Sequence, residues 1–308
     1  MSTLQAAVSG ALLGGLYAMM AVGLSAAWGM LRVINLAHFG MILLAAYLTY
    51  ELAGSWRIDP ILTLVVTVPA MALLGAALQW VYQRARLAEF ASLLVSFGVM
   101  TIMIQAVHNR WTADFRRLDP EVNPYGSTSW FPFGEDVRLA LPLSRLLALA
   151  FGVVLIVAAW AVLRTTFIGR AVRAFAEDRQ MAAAYGIDHR VLGMLVAGVA
   201  GASAAVAGML WAVGNTLVPD APYEWIGIVF AVVILGGIGQ VLGSLAAGLL
   251  VGTLYGVTSV LWSDTATLLV VFLAIVLALL LRPHGLFTGG TALRLPSLRR
   301  RRPQEVAR

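Results

Sequence analysis

Residues 164–190 read RTTFIGRAVRAFAEDRQMAAAYGIDHR, a polar segment that lies between two apolar runs of membrane-spanning length. An α-helix crosses a bilayer with about 20 consecutive apolar residues. Within the polar segment, Val172, Phe175 and Ala176 recur at helical spacing among charged residues, which predicts a short amphipathic helix. Such a helix commonly binds in a groove of a partner protein. We therefore interpret residues 164–190 as a loop through which a soluble partner moves the membrane part of the protein.

The composition of the whole chain is that of a membrane protein. Hydrophobic residues make up 60% of the 308 residues and charged residues only 12%, and the mean hydropathy is +0.87. Soluble domains contain about 45–50% apolar and about 25% charged residues. The chain is therefore expected to be a polytopic α-helical membrane protein.

Apolar runs divide the chain into candidate membrane spans. They predict an all-α membrane helical bundle with about 8–9 transmembrane segments, some of them short or broken. A glycine-rich turn that contains Gly243 separates two of the later runs, which could form two spans or one broken span. The predicted spans are residues 4–30, a second span ending near residue 50, and then 60–82, 90–108, 143–163, 191–213, 225–236, 241–260 and 266–281.

Arginine counts orient these spans. Residues 164–190 carry five arginines against three acids, and residues 282–308 carry seven against one, whereas residues 109–145 carry five of each. Because loops rich in arginine stay in the cytoplasm, the first two segments are expected inside and residues 109–142 outside. Counting back through the spans places the N-terminus outside as well.

The domain organisation follows from the same pattern. We expect one transmembrane domain over residues 1–290, which contains both the cytoplasmic loop 164–190 and the outer segment 109–142. A basic cytoplasmic tail over residues 291–308 completes the chain.

Small residues recur at helix-packing positions in the first and in a late span. Gly248, Gly252 and Gly256 follow each other at four-residue spacing, and Gly10 and Gly14 do so near the start. Small residues allow helix backbones to approach closely in lipid. The pattern indicates either packing within the bundle or packing against a second copy or a related subunit.

Several classes of function are excluded or disfavoured by the residues present. The chain contains no cysteine and no lysine, so all 21 basic residues are arginine. Without the lysine that a Walker phosphate-binding loop places on the phosphates, the chain is not a conventional ATPase. The four histidines are scattered without metal-ligand spacing, and no Gly-x-Ser-x-Gly nucleophile motif occurs. The charge of +6 is better explained by the sidedness of arginine than by binding to nucleic acid.

The interior of the predicted spans contains few titratable groups. Acidic residues fall near span ends, whereas a proton or ion relay needs charged groups deep in the membrane. An external motor is therefore favoured over an ion gradient. In the stretch INLAHFG, Asn35 and His38 either cap the following helix or line a substrate path. The candidate translocation-pathway residues are Asn35, His38, Gln105, Gly236, Gly237 and Gly239.

Motifs along the chain resemble those of a known family, the LivH-type permease subunits of branched-chain amino acid ABC importers. The resemblance covers residues 5–288 in the family's order, but not the outer segment or the tail beyond Arg294. Gly169-Arg170-Ala171, Ala176-Glu177-Asp178 and Ala184-Tyr185-Gly186-Ile187 are similar to the family's ATPase-coupling loop. Further similar motifs are Gly14-Gly15-Leu16-Tyr17-Ala18, Ile34-Asn35-Leu36-Ala37-His38, Leu235-Gly236-Gly237-Ile238-Gly239 and Arg282-Pro283-His284-Gly285-Leu286-Phe287.

The resemblance implies a multi-pass protein of the bacterial cytoplasmic (inner) membrane, surrounded by lipid and working with other chains. These are a second, related permease (LivM-like), two cytoplasmic ATPases (LivG/LivF-like) and an extracytoplasmic substrate-binding protein. No cofactor is expected on this chain, since ATP and Mg would bind to the ATPases. The positions that would contact the ATPase or shape the coupling loop are Arg170, Arg173, Glu177, Asp178, Gly186 and Ile187.

The expected function is therefore transport of a small metabolite, with branched-chain amino acids first, and no enzymatic activity of its own. Other amino acids, amides, urea and small organic acids remain open as substrates. The alternative is a stand-alone channel or facilitator for a small neutral solute such as urea or an amide. A third possibility, an intramembrane enzyme, lacks a recognisable nucleophile and base.

Overall fold

A computed structural model describes residues 3–87, 89–132, 138–262, 264–281 and 285–286. Eleven α-helices account for most of these residues. They are α1 Thr3–Leu31, α2 Ala37–Trp56, α3 Leu64–Arg84, α4 Glu89–Trp111, α5 Leu143–Thr165, α6 Phe167–Glu177, α7 Arg179–Ala184, α8 His189–Gly214, α9 Ala221–Gly236, α10 Val241–Leu261 and α11 Asp264–Leu281.

The predicted polytopic helical bundle is confirmed. Six of the helical segments are long and apolar enough to cross a membrane, and α9 and the middle of α11 are shorter apolar helices. The glycine-rich turn separates α9 from α10 as two distinct helices, because Gly237 and Gly239 adopt positive φ angles of 91° and 80°. The six segments are Thr3–Leu31, Pro60–Arg84, Phe90–Trp111, Leu143–Thr165, His189–Gly214 and Val241–Leu261.

The outer segment contains a small sheet that the all-α prediction did not include. Strands β1 (Thr128–Pro132) and β2 (Arg138–Pro142) pair antiparallel, with Trp130 opposite Ala140. Short 3₁₀ turns at Pro60–Thr63 and Pro124–Gly126 lie before α3 and before β1. Proline at the start of each turn fixes φ and suits this position.

Contacts at the two ends of the bundle fix the directions of the helices. At one end, the Gln5 side chain donates to the Ala140 carbonyl (2.5 Å) and accepts from the Ala140 N–H (3.0 Å). At the opposite end, the Gln83 amide donates to the Arg190 carbonyl (3.4 Å), next to the loop 164–190. The N-terminus therefore lies at the same end as the outer segment, as the arginine counts predict.

Helix α1 lies at the centre of the bundle and packs against α5, α8, α9 and α10. Its closest neighbour is α10, where glycines of the two helices touch. A Cβ atom added at Gly248 would lie 2.6 Å from the Gly14 carbonyl, and one at Gly10 would lie 2.9 Å from the Gly256 Cα. The small-residue pattern therefore serves packing within this bundle, because its partner is a helix of the same chain.

Candidate functional site: the α6–α7 loop

Helix α6 begins in a sharp turn at the end of α5. The Thr166 side chain accepts a hydrogen bond from the Gly169 N–H at 3.0 Å and so caps the new helix. A side chain at Gly169 would collide with the backbone of Val162 and Leu163, the last turn of α5. Glycine at this position therefore allows α6 to fold back closely against the helix before it.

Helix α7 is closed at both ends by specific residues. Asp178 Oδ1 accepts from the N–H groups of Gln180 (2.8 Å) and Met181 (3.1 Å), the geometry of an N-cap. At the other end, Gly186 adopts φ +82°, and the Ile187 N–H donates to the Ala182 carbonyl at 3.2 Å. This is the Schellman arrangement that ends many helices. Both residues therefore shape the loop.

The apolar side of α6 is buried against the bundle of the same chain. Val172 and Phe175 are only 3% and 5% exposed. They pack against the end of α1 and the start of α8, in a cluster with Met30, Leu31, Ala182, Leu192, Val196 and Ala197. The interpretation that this apolar side binds a partner is therefore wrong: it anchors the loop to the membrane helices.

The opposite side of the loop faces away from the bundle. Arg170, Arg173 and Glu177 are exposed. The Arg170 guanidinium lies over the Phe167 ring at 5.9 Å. Arg173 and Glu177 are four residues apart on α6, but among the described residues their charged groups are not within ion-pair distance of each other. Their charges are therefore not neutralised by each other.

Two large side chains on this outward side were not singled out from the sequence. Tyr185 is 82% exposed and Met181 is 56% exposed. Exposed aromatic and methionine side chains are enriched where proteins bind each other. Tyr185 and Met181 therefore extend the candidate binding side of the loop beyond the charged residues of α6. The motif Ala184-Tyr185-Gly186-Ile187 contains this tyrosine. Its exposure cannot be predicted from the motif, because it depends on how α7 packs against the bundle.

The six predicted coupling residues thus fall into two groups. Arg170, Arg173 and Glu177 present charge outward. Asp178, Gly186 and Ile187 hold the shape of α7, with Ile187 packed against the buried cluster beneath the loop. We call the outward side, formed by Phe167, Arg170, Arg173, Glu177, Met181 and Tyr185, the loop surface.

The predicted pathway residues Asn35 and His38 lie in the link between α1 and α2 and at the start of α2. The Asn35 side chain accepts from the Tyr82 hydroxyl at 3.3 Å, and the N-cap of α2 is Leu36, whose side chain cannot cap. His38 is 1% exposed, and its Nε2 donates to the Met20 carbonyl at 3.0 Å. These side chains therefore tie α2 to α1 and α3, and the capping alternative is wrong.

The remaining pathway candidates lie elsewhere. Gln105 is exposed and donates to Asn109 Oδ1 (3.2 Å) on its own helix, so it does not join Asn35 and His38. The Gly239 N–H donates to Ser25 Oγ at 3.1 Å, and Gly236 packs against Gly243. The glycine turn therefore packs tightly against α1. His38 contacts the same helix, at Met20.

A cavity of about 260 Å³ lies between α1, α5, α6, α8 and α10. Gly169 and Val172 of α6 form part of its wall, and the other lining groups are almost all hydrocarbon. Among the residues that the structure describes, no group of three or more histidine, cysteine or acidic side chains could hold a metal ion.

The described chain is thus a multi-pass helical bundle with a capped helix pair, α6 and α7, docked at one end. Residues 6–281 match the family described as "Branched-chain amino acid transport system / permease component", and the chain belongs to this family. It is therefore the permease subunit of an ABC importer, a transport component and not an enzyme. Such permeases work with ATPase and binding-protein components.

Curated relatives cover nearly the whole chain. The high-affinity branched-chain amino acid transport system permease protein BraD of Pseudomonas aeruginosa is 27% identical over 295 residues, which are 92% of this chain and 95% of that protein. The corresponding LivH proteins of Salmonella typhimurium and Escherichia coli K12 are 27% identical over 299 residues, 92% of this chain and 94% of each relative. No solved structure matches significantly.

Proposed function

We propose that this permease moves an amino acid, branched-chain amino acids first, across the bacterial cytoplasmic (inner) membrane. The names of the relatives support this substrate class, because BraD and LivH are described as permeases for branched-chain amino acids. The match to the family covers residues 6–281, so the similarity to these permeases extends over nearly all of the described helices.

The loop surface belongs to a loop that is anchored to the membrane helices, and this arrangement supports the mechanism that we propose. Val172 and Phe175 fix α6 to α1 and α8, so a force applied to the exposed side reaches the bundle directly. Two cytoplasmic ATPases, LivG/LivF-like, would bind the loop surface, and ATP and Mg would bind to them. Closure of the ATPases on ATP would then displace α6 and α7 and shift α1 and α8 between inward-open and outward-open arrangements.

At the other end of the bundle, the outer segment is a candidate docking face for a substrate-binding protein. Its hairpin is joined to α1 through Gln5 and Ala140. Its 3₁₀ turn is joined to the start of α3 through Tyr125 and Asp59, whose hydroxyl and carboxylate lie 2.7 Å apart. Docking there would therefore act on the central helix. A second, LivM-like permease would complete the path for the solute.

Asn35, His38 and the glycine turn remain candidates for the pathway. His38 is buried beside the central helix, and within the described residues its Nδ1 has no hydrogen-bond partner. In a neutral imidazole whose Nε2 donates to a carbonyl, Nδ1 is an acceptor. Movement of α1 away from α2 would expose this acceptor to a passing ammonium or amide group.

The test is reconstitution. The permease is co-expressed with candidate ATPase and permease subunits from the same organism, purified, and placed in liposomes that take up radiolabelled leucine in the presence of a candidate binding protein. We expect uptake that requires ATP and all components. Leucine uptake by the lone chain without ATP would contradict the proposal and would favour a facilitator.

A further inference from the structure

Helix α4 lies at the edge of the bundle. Among the described elements, it packs extensively against α2 alone. Ser96, Met100, Met103 and Val107 on its packed side are buried, whereas residues of the opposite side are exposed along the span. One side of a membrane-spanning helix is therefore left without a neighbour in the described part of this chain.

The uncovered side of α4 carries small and polar residues as well as apolar ones. Gly98, Thr101 and Gln105 are exposed and follow each other at three- and four-residue spacing, which places them on one face of the helix. A Cβ atom added at Gly98 would meet no atom of the described residues within 4 Å. We call the surface formed by Gly98, Thr101 and Gln105 the α4 face.

The polar side chains of the α4 face lie at membrane depth. The span runs over Phe90–Trp111, so Thr101 is near its centre. Gln105 lies about 9 Å along the helix axis from Trp111, at a rise of about 1.5 Å per residue. In the other candidate spans, as far as they are described, exposed charged, hydroxyl or amide side chains occur only within the first or last three residues. The α4 face is therefore unusual among the exposed surfaces of the bundle.

Hydrocarbon would leave part of the Gln105 side chain without a hydrogen bond. Its amide donates to Asn109 Oδ1 at 3.2 Å, and among the described residues this is its only hydrogen bond. One N–H and the carbonyl oxygen of the amide are left over. A polar group that faces lipid without a partner is costly. Glutamine in membrane helices forms hydrogen bonds between helices, and small residues let two helices approach closely. Both features indicate that protein covers the α4 face.

We propose that the α4 face packs against a membrane helix of the second, related permease subunit, and that Gln105 forms a hydrogen bond across this interface. The inference rests on the proposed function, which requires a second permease. Membrane depth selects this partner, because cytoplasmic ATPases and an extracytoplasmic binding protein do not reach the middle of the bilayer. The partner helix is expected to carry a small residue opposite Gly98 and a hydrogen-bonding side chain opposite Gln105.

The exposed sides of α3 and α5 provide the contrast. Leu73 of α3 is 72% exposed and Val154 of α5 is 69% exposed. The other exposed residues in the middle of these two helices are also apolar. Lipid can cover such surfaces without leaving a hydrogen bond unmade. We therefore expect Leu73 and Val154 to contact lipid, and they serve as control positions.

The first experiment identifies what covers the α4 face. A photoreactive amino acid replaces Thr101, Gln105, Leu73 or Val154 in separate variants, each co-expressed with the candidate permease and ATPase subunits and irradiated in the membrane. Mass spectrometry identifies the cross-linked product. We expect adducts with the second permease from positions 101 and 105, and adducts with lipid from positions 73 and 154. Lipid adducts from all four positions would overturn the proposal. Adducts of positions 101 and 105 with a second copy of this chain would overturn the choice of partner.

The second experiment measures the contribution of two residues of the α4 face. The two permeases are labelled in vesicles, and energy transfer between them is followed as they are diluted with lipid. Gln105→Leu should weaken their association about threefold to thirtyfold, the range that corresponds to one hydrogen bond between membrane helices. Gly98→Val should weaken it as well, because it removes the space for a close approach. Leu73→Val, the matched control on α3, should associate like the wild type.

Thermal unfolding of this chain alone separates an interface from a structural role. Gln105→Leu and Gly98→Val should both melt like the wild type, since neither side chain meets another helix of the described chain. A lower melting temperature of the lone Gln105→Leu chain would overturn the proposal, and so would wild-type association of both variants. Failure of the proposed function looks different, because the wild-type importer would then not take up leucine, whatever the cross-links show.

Discussion

The Tyr125 hydroxyl donates a hydrogen bond of 2.7 Å to Oδ2 of Asp59, and it joins the outer segment to the turn that begins α3. The hydrogen bond to this carboxylate is the main reason that the pKa of Tyr125 is raised to about 12. The bond holds only while the phenol is neutral. The free energy that it contributes is therefore complete below pH about 10, the usual pKa of tyrosine, and is lost as the pH rises through about 12.

Tyr125→Phe should lower the stability of the outer segment by about 1.5 kcal/mol at pH 8, because it removes a hydrogen bond to a charged acceptor. The difference between wild type and variant should shrink between pH 10 and pH 12. Thermal unfolding of both proteins in detergent across this range measures it. A difference that stays constant up to pH 12 would show that the hydrogen bond does not carry the effect.

The glycine contact between α1 and α10 should not tolerate a side chain. In Gly248→Val, the new Cβ would lie 2.6 Å from the Gly14 carbonyl and 2.7 Å from Ala18 Cβ. We expect a loss of about 1–3 kcal/mol in the free energy of unfolding, the usual cost of overpacking. Gly98→Val is the control, because a Cβ there meets open space among the described residues. Equal melting temperatures would contradict the packing role.

Asp178 can be tested as a cap separately from its charge. Asp178→Ala removes both hydrogen bonds to the start of α7 and should cost about 1 kcal/mol, whereas asparagine caps as well as aspartate. We therefore expect Asp178→Asn to keep coupled transport and Asp178→Ala to reduce it. Uptake per ATP hydrolysed is the measurement. If asparagine is as damaging as alanine, the carboxylate itself contacts the ATPase.

A Cβ atom added at Gly186 would meet no atom of the described residues within 4 Å, but the backbone there is left-handed, with φ +82°. Gly186→Ala should therefore destabilise the end of α7 by about 1 kcal/mol through backbone strain, while Gly186→Asn should be milder because asparagine visits this region more readily. Hydrogen exchange at the amides of Gly186 and Ile187, which donate to the end of α7, reports the change. Identical exchange in both variants would mean that strain is not the cause.

The two sides of the loop should respond differently to loss of an aromatic ring. Phe175→Ala removes a buried side chain and should cost about 3 kcal/mol or more in the stability of the permease. Tyr185→Ala removes an 82% exposed side chain and should leave the melting temperature unchanged while weakening co-purification of the ATPase. Unaltered ATPase binding by Tyr185→Ala would show that the Tyr185 side chain does not contribute to binding of the ATPase.

Much of the architecture can be read from local patterns. The apolar runs predict the bundle, since a membrane span is defined by a run of neighbouring residues. Arginine counts predict that Gln5 and the outer segment share one end of the molecule. The four-residue spacing of Gly248, Gly252 and Gly256 predicts close helix packing, but its partner was undecided between this chain and another subunit.

The rest depends on contacts between distant parts of the chain. The spacing of Val172 and Phe175 predicts an amphipathic helix, yet the pattern does not tell whether its apolar side packs on the same chain or on a partner. Arg145 looks like an ordinary arginine of an outer loop until the fold places its guanidinium within hydrogen-bond distance of the Ser9 hydroxyl of α1. Whether the six coupling residues and the pathway residues act as proposed remains a prediction.

The central position of α1 has a consequence for biogenesis. This helix is synthesised before the other described helices, but the groove of Gly10 and Gly14 is filled by Gly248–Gly256 of α10, which follows much later in the chain. Until then its small-residue face is available to other helices, including those of a subunit made at the same time. The contact between α1 and α10 therefore forms only after α10 has been synthesised, and truncation before α10 should leave the small-residue face of α1 uncovered.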